Sequence, residues 1–153
     1  MKAYTRLAAP ADSHALAGLL DQLGYRWTPS GLIQHMALLR QKGHEIWVAC
    51  YPGGEGEEEV IGCISAILDV RLAEGCVGEI VSLVVMEECR GSGAGSALLQ
   101  AAQAWLEPKV SSIRIRANTR REKAHGFYLR AGYVPHKTQQ VFIKQSRPQH
   151  RED

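Results

Sequence analysis

Gly78-Glu79-Ile80-Val81-Ser82-Leu83-Val84-Val85-Met86-Glu87-Glu88-Cys89-Arg90-Gly91-Ser92-Gly93-Ala94-Gly95-Ser96 is the stretch on which the reading of this sequence turns. Its first half, Gly78–Met86, is largely apolar and reads as a long buried strand. A glycine-rich turn follows. Behind it, Leu98, Leu99, Ala102, Trp105 and Leu106 recur at helical spacing until Pro108 stops them. A helix that opens directly after such a turn displays unpaired N–H groups of partial positive charge, which suit a pyrophosphate. Glycine permits positive φ, and its missing Cβ lets phosphate oxygens reach the backbone. Glycines at 91, 93 and 95 cost chain entropy without improving packing, so the turn reads as more than a connection. Two familiar phosphate loops fail on this stretch. No lysine follows Gly95, as a Walker loop requires. A dinucleotide fingerprint needs glycine where Ser96 stands and an acidic residue near Asn118, and both are missing.

Working outward, Ala3–Leu7 alternates like a short strand, and Ala11–Leu23 repeats its leucines at three and four residues, the mark of an amphipathic helix ended by Gly24. Thr28 as N-cap and Pro29 at the first helical position begin a second helix, closed by Gly43. Glu45–Tyr51 and Val60–Val70 are strands around the acidic hairpin loop Pro52–Glu59, a solvated turn. Ser112–Asn118 is a further strand, with Ile113 and Ile115 on one face and Arg114 and Arg116 on the other. Arg121–Ala131 forms a short helix ended by Gly132. Tyr133–Lys144 supplies one or two final strands, and Ser146–Asp153 is a polar tail. Strands in the middle interrupted by helices give an α/β or α+β class with a mixed sheet.

A chain of 153 residues suits one domain, read as residues 1–145 with a tail over 146–153. The hydrophobic share of 45% and charged share of 22% exclude disordered and fibrous classes. A net charge of +2 is too balanced for a nucleic-acid partner. No apolar run approaches the roughly 20 residues of a membrane span, and the first residues lack the apolar core of a signal peptide, so a cytoplasmic location is expected. Cys50, Cys63, Cys76 and Cys89 show no zinc-site spacing, and no metal is expected. Cys50 and Cys63 read as small apolar strand residues.

Arg90-x-x-Gly93-x-Gly95 resembles the acetyl-coenzyme A loop of the GNAT superfamily of N-acetyltransferases, written Gln/Arg-x-x-Gly-x-Gly/Ala. Leu83-Val84-Val85 occupies the family's Leu-x-Val place on the preceding strand. A later segment, Asn118 through Ala124, Phe127, Tyr128, Gly132 and Tyr133, is similar to the family's N…A-x-x-F-Y-x-x-x-G-F/Y motif, one helix and one strand further on. The resemblance covers about Gly78–Tyr133. It implies a twisted, mostly antiparallel mixed sheet of six to seven strands flanked by about four helices, with acetyl-CoA as acyl donor. It also implies that the backbone of Leu83, Val84 and Val85 bonds the pantetheine arm. The loop Arg90, Gly91, Ser92, Gly93, Ala94, Gly95 and Ser96 would hold the pyrophosphate. Asn118 would bond the pantetheine, as the family's asparagine does, or cap the following helix. Family members often dimerise, so a homodimer is a further implication.

Acetyl transfer from a thioester to an amine needs a neutral amine, a donor for the oxyanion and a proton for the departing thiolate. Glu79 lies in an apolar stretch where burial would favour its protonated form, and its distance from the loop resembles that of the catalytic glutamate in the histone-acetylating branch of the family. It reads as the base, or else as a strand-end carboxylate paired with an arginine such as Arg71. Tyr128 reads as the general acid, since a phenol of pKa about 10 holds its proton at neutral pH. The resemblance puts that tyrosine beside the coenzyme sulfur; the alternative is an aromatic core residue, and since Ala124, Phe127 and Ala131 form one stripe, Phe127 reads as the core residue and Tyr128 as the site residue. Tyr25 and Trp27 lie where relatives shape the acceptor pocket, or are packing at a helix turn. The expected function is direct transfer of acetyl from acetyl-CoA to a primary amine of a small molecule, and Ala124-His125-x-Phe127-Tyr128 resembles enzymes acting on aminoglycosides and aminoalkylphosphonates. A protein or peptide amine, or a non-catalytic acyl-CoA-binding or sensing module, are the alternatives.

Overall fold

The computed structural model describes residues 2–116 and 122–146, which fall into two compact units, one up to Ile115 and one from Arg116 on. The first unit is built on a sheet of five strands in the order β1-β2-β3-β4-β5: Tyr4–Leu7, Glu45–Pro52, Glu58–Arg71, Gly75–Val85 and Ile113–Ile115. The first three pairings are antiparallel and β4–β5 is parallel, so the sheet is mixed and mostly antiparallel, as expected.

Helices α1 (Ser13–Gln22) and α2 (Pro29–Gln41) cover one face. Leu16, Leu19, Leu32 and Met36 meet Ile46, Val48, Cys50, Cys63 and Val84 there. Thr28 caps α2 as predicted, its Oγ1 accepting from the Gly31 amide at 3.0 Å. The other face carries α3 (Ala94–Leu106), whose Leu98, Leu99, Ala102 and Leu106 are buried. Burial of a leucine such as Leu98 is worth about 1.5–3 kcal/mol, so this stripe fixes where the N-terminus of α3 stands. The β3–β4 ladder makes Gly78 a close contact: a Cβ there would stand 2.9 Å from Leu106 Cδ2. β1 is tied down by charge. Arg6 pairs with Asp12 through both carboxylate oxygens, at 2.8 and 2.9 Å, and the Tyr4 hydroxyl donates to Glu58.

The second unit contains α4 (Glu122–Arg130). Its C-terminus closes with the Tyr133 amide on the Tyr128 carbonyl (3.0 Å) and the Gly132 amide on Leu129, with Gly132 at φ 95°. This is the paired-bond glycine cap that helices favour. The strands expected over Tyr133–Lys144 are absent: the described residues 133–146 form no ladder, and the sheet has five strands among the described residues rather than six or seven. Val141, Phe142 and Ile143 are exposed and contiguous rather than alternating. Such residues favour extended backbone, but a strand also needs a neighbour to accept its ladder.

Candidate active site

The glycine turn does what its composition requires. After β4 the chain makes a single 3₁₀ turn, Glu87–Cys89, and enters α3 at Ala94. Gly91 and Gly93 take φ of 84° and 90°, a region that costs an L-residue about 1–2 kcal/mol. Nothing stands within 4 Å of where either Cβ would be. Turn bonds use the amides of Cys89, Arg90 and Ser92, and the Ala94 amide reaches Ser92 Oγ at 3.3 Å. Among the described residues the amides of Gly91, Gly93, Gly95 and Ser96 have no acceptor. The three alternate glycines therefore divide their roles: two turn the chain left-handed, and Gly95 lies in the first turn of α3. Bare amides at a helix N-terminus, open space beside them and the exposed Arg90 form a donor set that fits a diphosphate.

The strand leading to this loop has a free edge. β4 pairs with β5 only at Gly78–Ile80, against Ile113–Ile115, so the backbone of Val81–Val85 has no partner on that side among the described residues. In the same stretch β4 carries an extra residue. Cys63 faces Val84 and Ser65 faces Val81, leaving Ser82 and Leu83 opposite Ile64, with Ser82 at φ 56°. This bulge bends the strand at the place where the family resemblance implies the pantetheine contacts. No glycine marked it.

Glu79 is buried, at 8% exposure, and it is not alone there. Its Oε1 accepts from Arg114 Nε at 2.6 Å, and Arg114 Nη2 donates to Asp69 Oδ2 at 2.5 Å. The Asp69 carboxyl is held below the usual carboxylate range, mainly by this hydrogen bond and further by the charge of Arg71. Glu79 is thus paired with Arg114, an arginine other than the Arg71 offered as an example from sequence. Arg71 instead bridges Asp69 (2.8 Å) and Glu74 (3.1 Å). Arg114 and Asp69 are the residues that sequence reasoning missed; the signal was Arg114 on the polar face of its strand.

Tyr128 is half-buried in the second unit, with its ring edge-on to Phe127 (5.5 Å) and Tyr133 (6.4 Å). Asn118 lies outside the described residues. Trp27 packs against the α1–α2 core and stacks on His35 at 4.8 Å, while Tyr25 is half exposed. Neither lines the cavity of about 320 Å³ beside α1, whose polar lining is His14, Gln22 and Glu59 and whose floor includes Leu19, Val60 and Met86. Burial pushes the Cys63 thiol up to about 12, and Cys89 is raised by desolvation and by the nearby charges of Glu59 and Glu88.

The sequence matches the family described as Acetyltransferase (GNAT) family over residues 14–133, most of the chain and both of its units. The chain belongs to the GNAT family. A GNAT relative, the aminoalkylphosphonate N-acetyltransferase of Salmonella typhimurium, is 38% identical over 81 residues. That alignment spans 49% of this chain and 50% of the relative, so the chain spans about half the length of the curated relative it matches. Among solved structures, an acetyltransferase of Trypanosoma brucei superposes with a TM-score of 0.78 at 22% identity, covering 94% of this chain and 100% of the other. The glucosamine-6-phosphate N-acetyltransferase of Arabidopsis thaliana gives a TM-score of 0.79 at 17% identity, over 95% and 100%. At such identities the likeness establishes the GNAT fold.

Proposed function

We propose that the chain is an N-acetyltransferase that moves an acetyl group from acetyl-CoA directly to a primary amine of a small molecule. The observation that carries this reading is the loop from Arg90 to Ser96: two left-handed glycines, amides without acceptors and a helix N-terminus immediately behind them. In this reading the loop amides hold the diphosphate, and the free edge of Leu83–Val85 accepts the pantetheine arm. Acetyl-CoA supplies the activated acyl group. Glu79 takes the proton that the attacking amine sheds, at a carboxylate already oriented by Arg114. Tyr128 gives the phenolic proton of Oη to the departing sulfur, a role carried over by the family motif alone. Cys89 is given no acyl-carrier role, since it lies before the glycine turn and its thiol is shifted upward by desolvation and the charges of Glu59 and Glu88.

A thiol-release assay with acetyl-CoA and an amine panel tests the reading. The panel includes an aminoalkylphosphonate, on the strength of the Salmonella relative. Turnover on a small amine supports it, with Glu79→Gln and Tyr128→Phe each lowering kcat by about 10²-fold or more and leaving coenzyme affinity nearly unchanged. A second reading, an acyl-CoA-binding module without catalysis, is favoured by one observation: Glu79 is engaged in an ion pair of the kind that also serves purely structural ends. Stabilisation by coenzyme with no turnover on any amine would select the module.

A further inference from the structure

Glu79 and Arg114 are register partners across the parallel β4–β5 pairing, one residue before its last pair, Ile80–Ile115. Beyond that pair Val81–Val85 has no β5 partner among the described residues, so the ion pair sits near the end of the paired stretch. A second carboxylate reaches the same guanidinium from β3. Asp69 faces Val77 and Ile67 faces Glu79, which puts Asp69 and Glu79 on one side of the sheet. Arg114 therefore spans two strands, Nε on Glu79 and Nη2 on Asp69. Arg71 and Glu74 extend the network outward to the exposed end of the β3–β4 hairpin.

β5 is only three residues long, and its backbone ladder alone does not fix the plane of an arginine side chain. Two carboxylates at hydrogen-bond distance do fix it, because a guanidinium presents its donors in a rigid planar fork. The oriented guanidinium in turn selects one rotamer of the buried Glu79. We infer that Arg114, anchored by Asp69, is a positioning residue that sets where the Glu79 carboxylate stands near the end of the β4–β5 pairing. This rests on the proposed proton-accepting role of Glu79. A lysine would carry the charge, but its single ammonium on a flexible stem would not hold both carboxylates in one plane.

The test compares the full chain with Arg114→Gln, Arg114→Lys, Glu79→Gln and the double variant Arg114→Gln/Glu79→Gln. Steady-state kinetics on acetyl-CoA and the best amine of the panel are measured beside coenzyme affinity by calorimetry. A displaced catalytic group loses rate steeply, so Arg114→Gln should lower kcat about 10²-fold while coenzyme affinity stays within about threefold. Arg114→Lys should fall between Gln and the parent. In the Glu79→Gln background, Arg114→Gln should cost less than about twofold more, since there is no base left to position. The inference is overturned if Arg114→Gln costs the same factor with and without Glu79, or keeps parental kcat. Should Arg114→Gln not fold, parental kcat in Arg114→Lys overturns it equally. Failure of the underlying reading looks different: Glu79→Gln itself would then turn over at the parental rate.

Discussion

Replacing Gly93 by alanine separates the cost of the loop's shape from the cost of its function. Gly93 is the N-cap of α3 at φ 90° and ψ −1°, and a Cβ built on it meets no atom within 4 Å. No clash arises, so the cost in the free protein is the left-handed conformation alone, about 1–2 kcal/mol for an L-residue. For a chain of this size that lowers Tm by about 2–8 °C. The binding cost is separate. Relief of the strain rotates the peptide units on either side of residue 93, and the amides of Gly93 and Gly95 are among those without acceptors. A hydrogen bond to a charged group is worth about 1.5–3 kcal/mol, so losing one weakens coenzyme A by about 10- to 100-fold. Titration calorimetry with coenzyme A at fixed ionic strength reads the second cost, and scanning calorimetry of the free chain reads the first. Gly18→Ala is the control. Gly18 lies inside α1 with open space around it, and alanine there should stabilise by about 0.5–1 kcal/mol without touching coenzyme affinity. Gly93→Ala that melts lower but binds coenzyme A within twofold of the parent would refute the loop as the diphosphate site.

Two further predictions concern the frame that holds this loop. Asp12 is buried, takes two bonds from Arg6 and one from the Ala9 amide at 2.7 Å, and its carboxyl is held below the usual 3.8 first by the Arg6 hydrogen bond and also by the Ala9 amide. Asp12→Asn should cost about 1–3 kcal/mol at neutral pH, less than a fully buried pair because Arg6 is part-exposed and keeps Glu58. A lowered carboxylate adds stability that is whole above pH 3.8 and is lost as pH falls through its folded value, so denaturant melts of parent and variant should converge below about pH 4. A constant gap down to pH 2 would contradict this. Gly78→Ala should cost about 1–3 kcal/mol by driving a methyl into Leu106, whose three nearest atoms stand at 2.9, 3.0 and 3.3 Å. A variant that melts at or above the parent in urea would show that α3 yields without cost.

What was legible in the sequence was mostly local. Thr28 and Pro29 announce α2 because an N-cap is a contract between residues three apart, and the turn to α3 is written in Gly91 and Gly93 because only their own φ angles matter. Glu45–Tyr51, read as a strand beside the acidic hairpin loop, is β2, and its run Ile46–Cys50 is buried on both faces. The failures are failures of distance. Arg114 meets Glu79 across 35 residues, and only the parallel register of β4 and β5 makes them neighbours; Arg71, nearer in sequence, was drawn to Asp69 and Glu74 instead. The bulge at Ser82 is set by the mismatch of two strands, and a serine at φ 56° gives no warning of it. Trp27, readable from sequence as pocket or packing, stacks on His35 and packs against the α1–α2 core, contacts that local sequence does not announce. In Val141-Phe142-Ile143 a β-favouring composition met no ladder.

The free edge of β4 is the feature that most needs a physical reason. Sheets guard their edges, because a row of unpaired N–H and C=O groups along apolar residues invites pairing with another chain. The opposite edge obeys that rule: β1 is short and carries Tyr4 and Arg6, both bound to Glu58. β4 breaks it, since Val81–Val85 is long, apolar and unpaired on the β5 side among the described residues. Two features accompany this exposure. The described β4–β5 ladder ends at Ile80 and Ile115, one residue past the Glu79–Arg114 pair, and the bulge at Ser82 bends β4 just beyond it. Under the proposed function such an edge suits a ligand that carries its own amide groups along an extended arm, and β4 leads after Val85 into the loop whose amides at Gly91, Gly93, Gly95 and Ser96 have no acceptor among the described residues. An arm bearing amides at one end and a diphosphate at the other is the chemical outline of coenzyme A, so the proposed donor would engage strand edge and loop together.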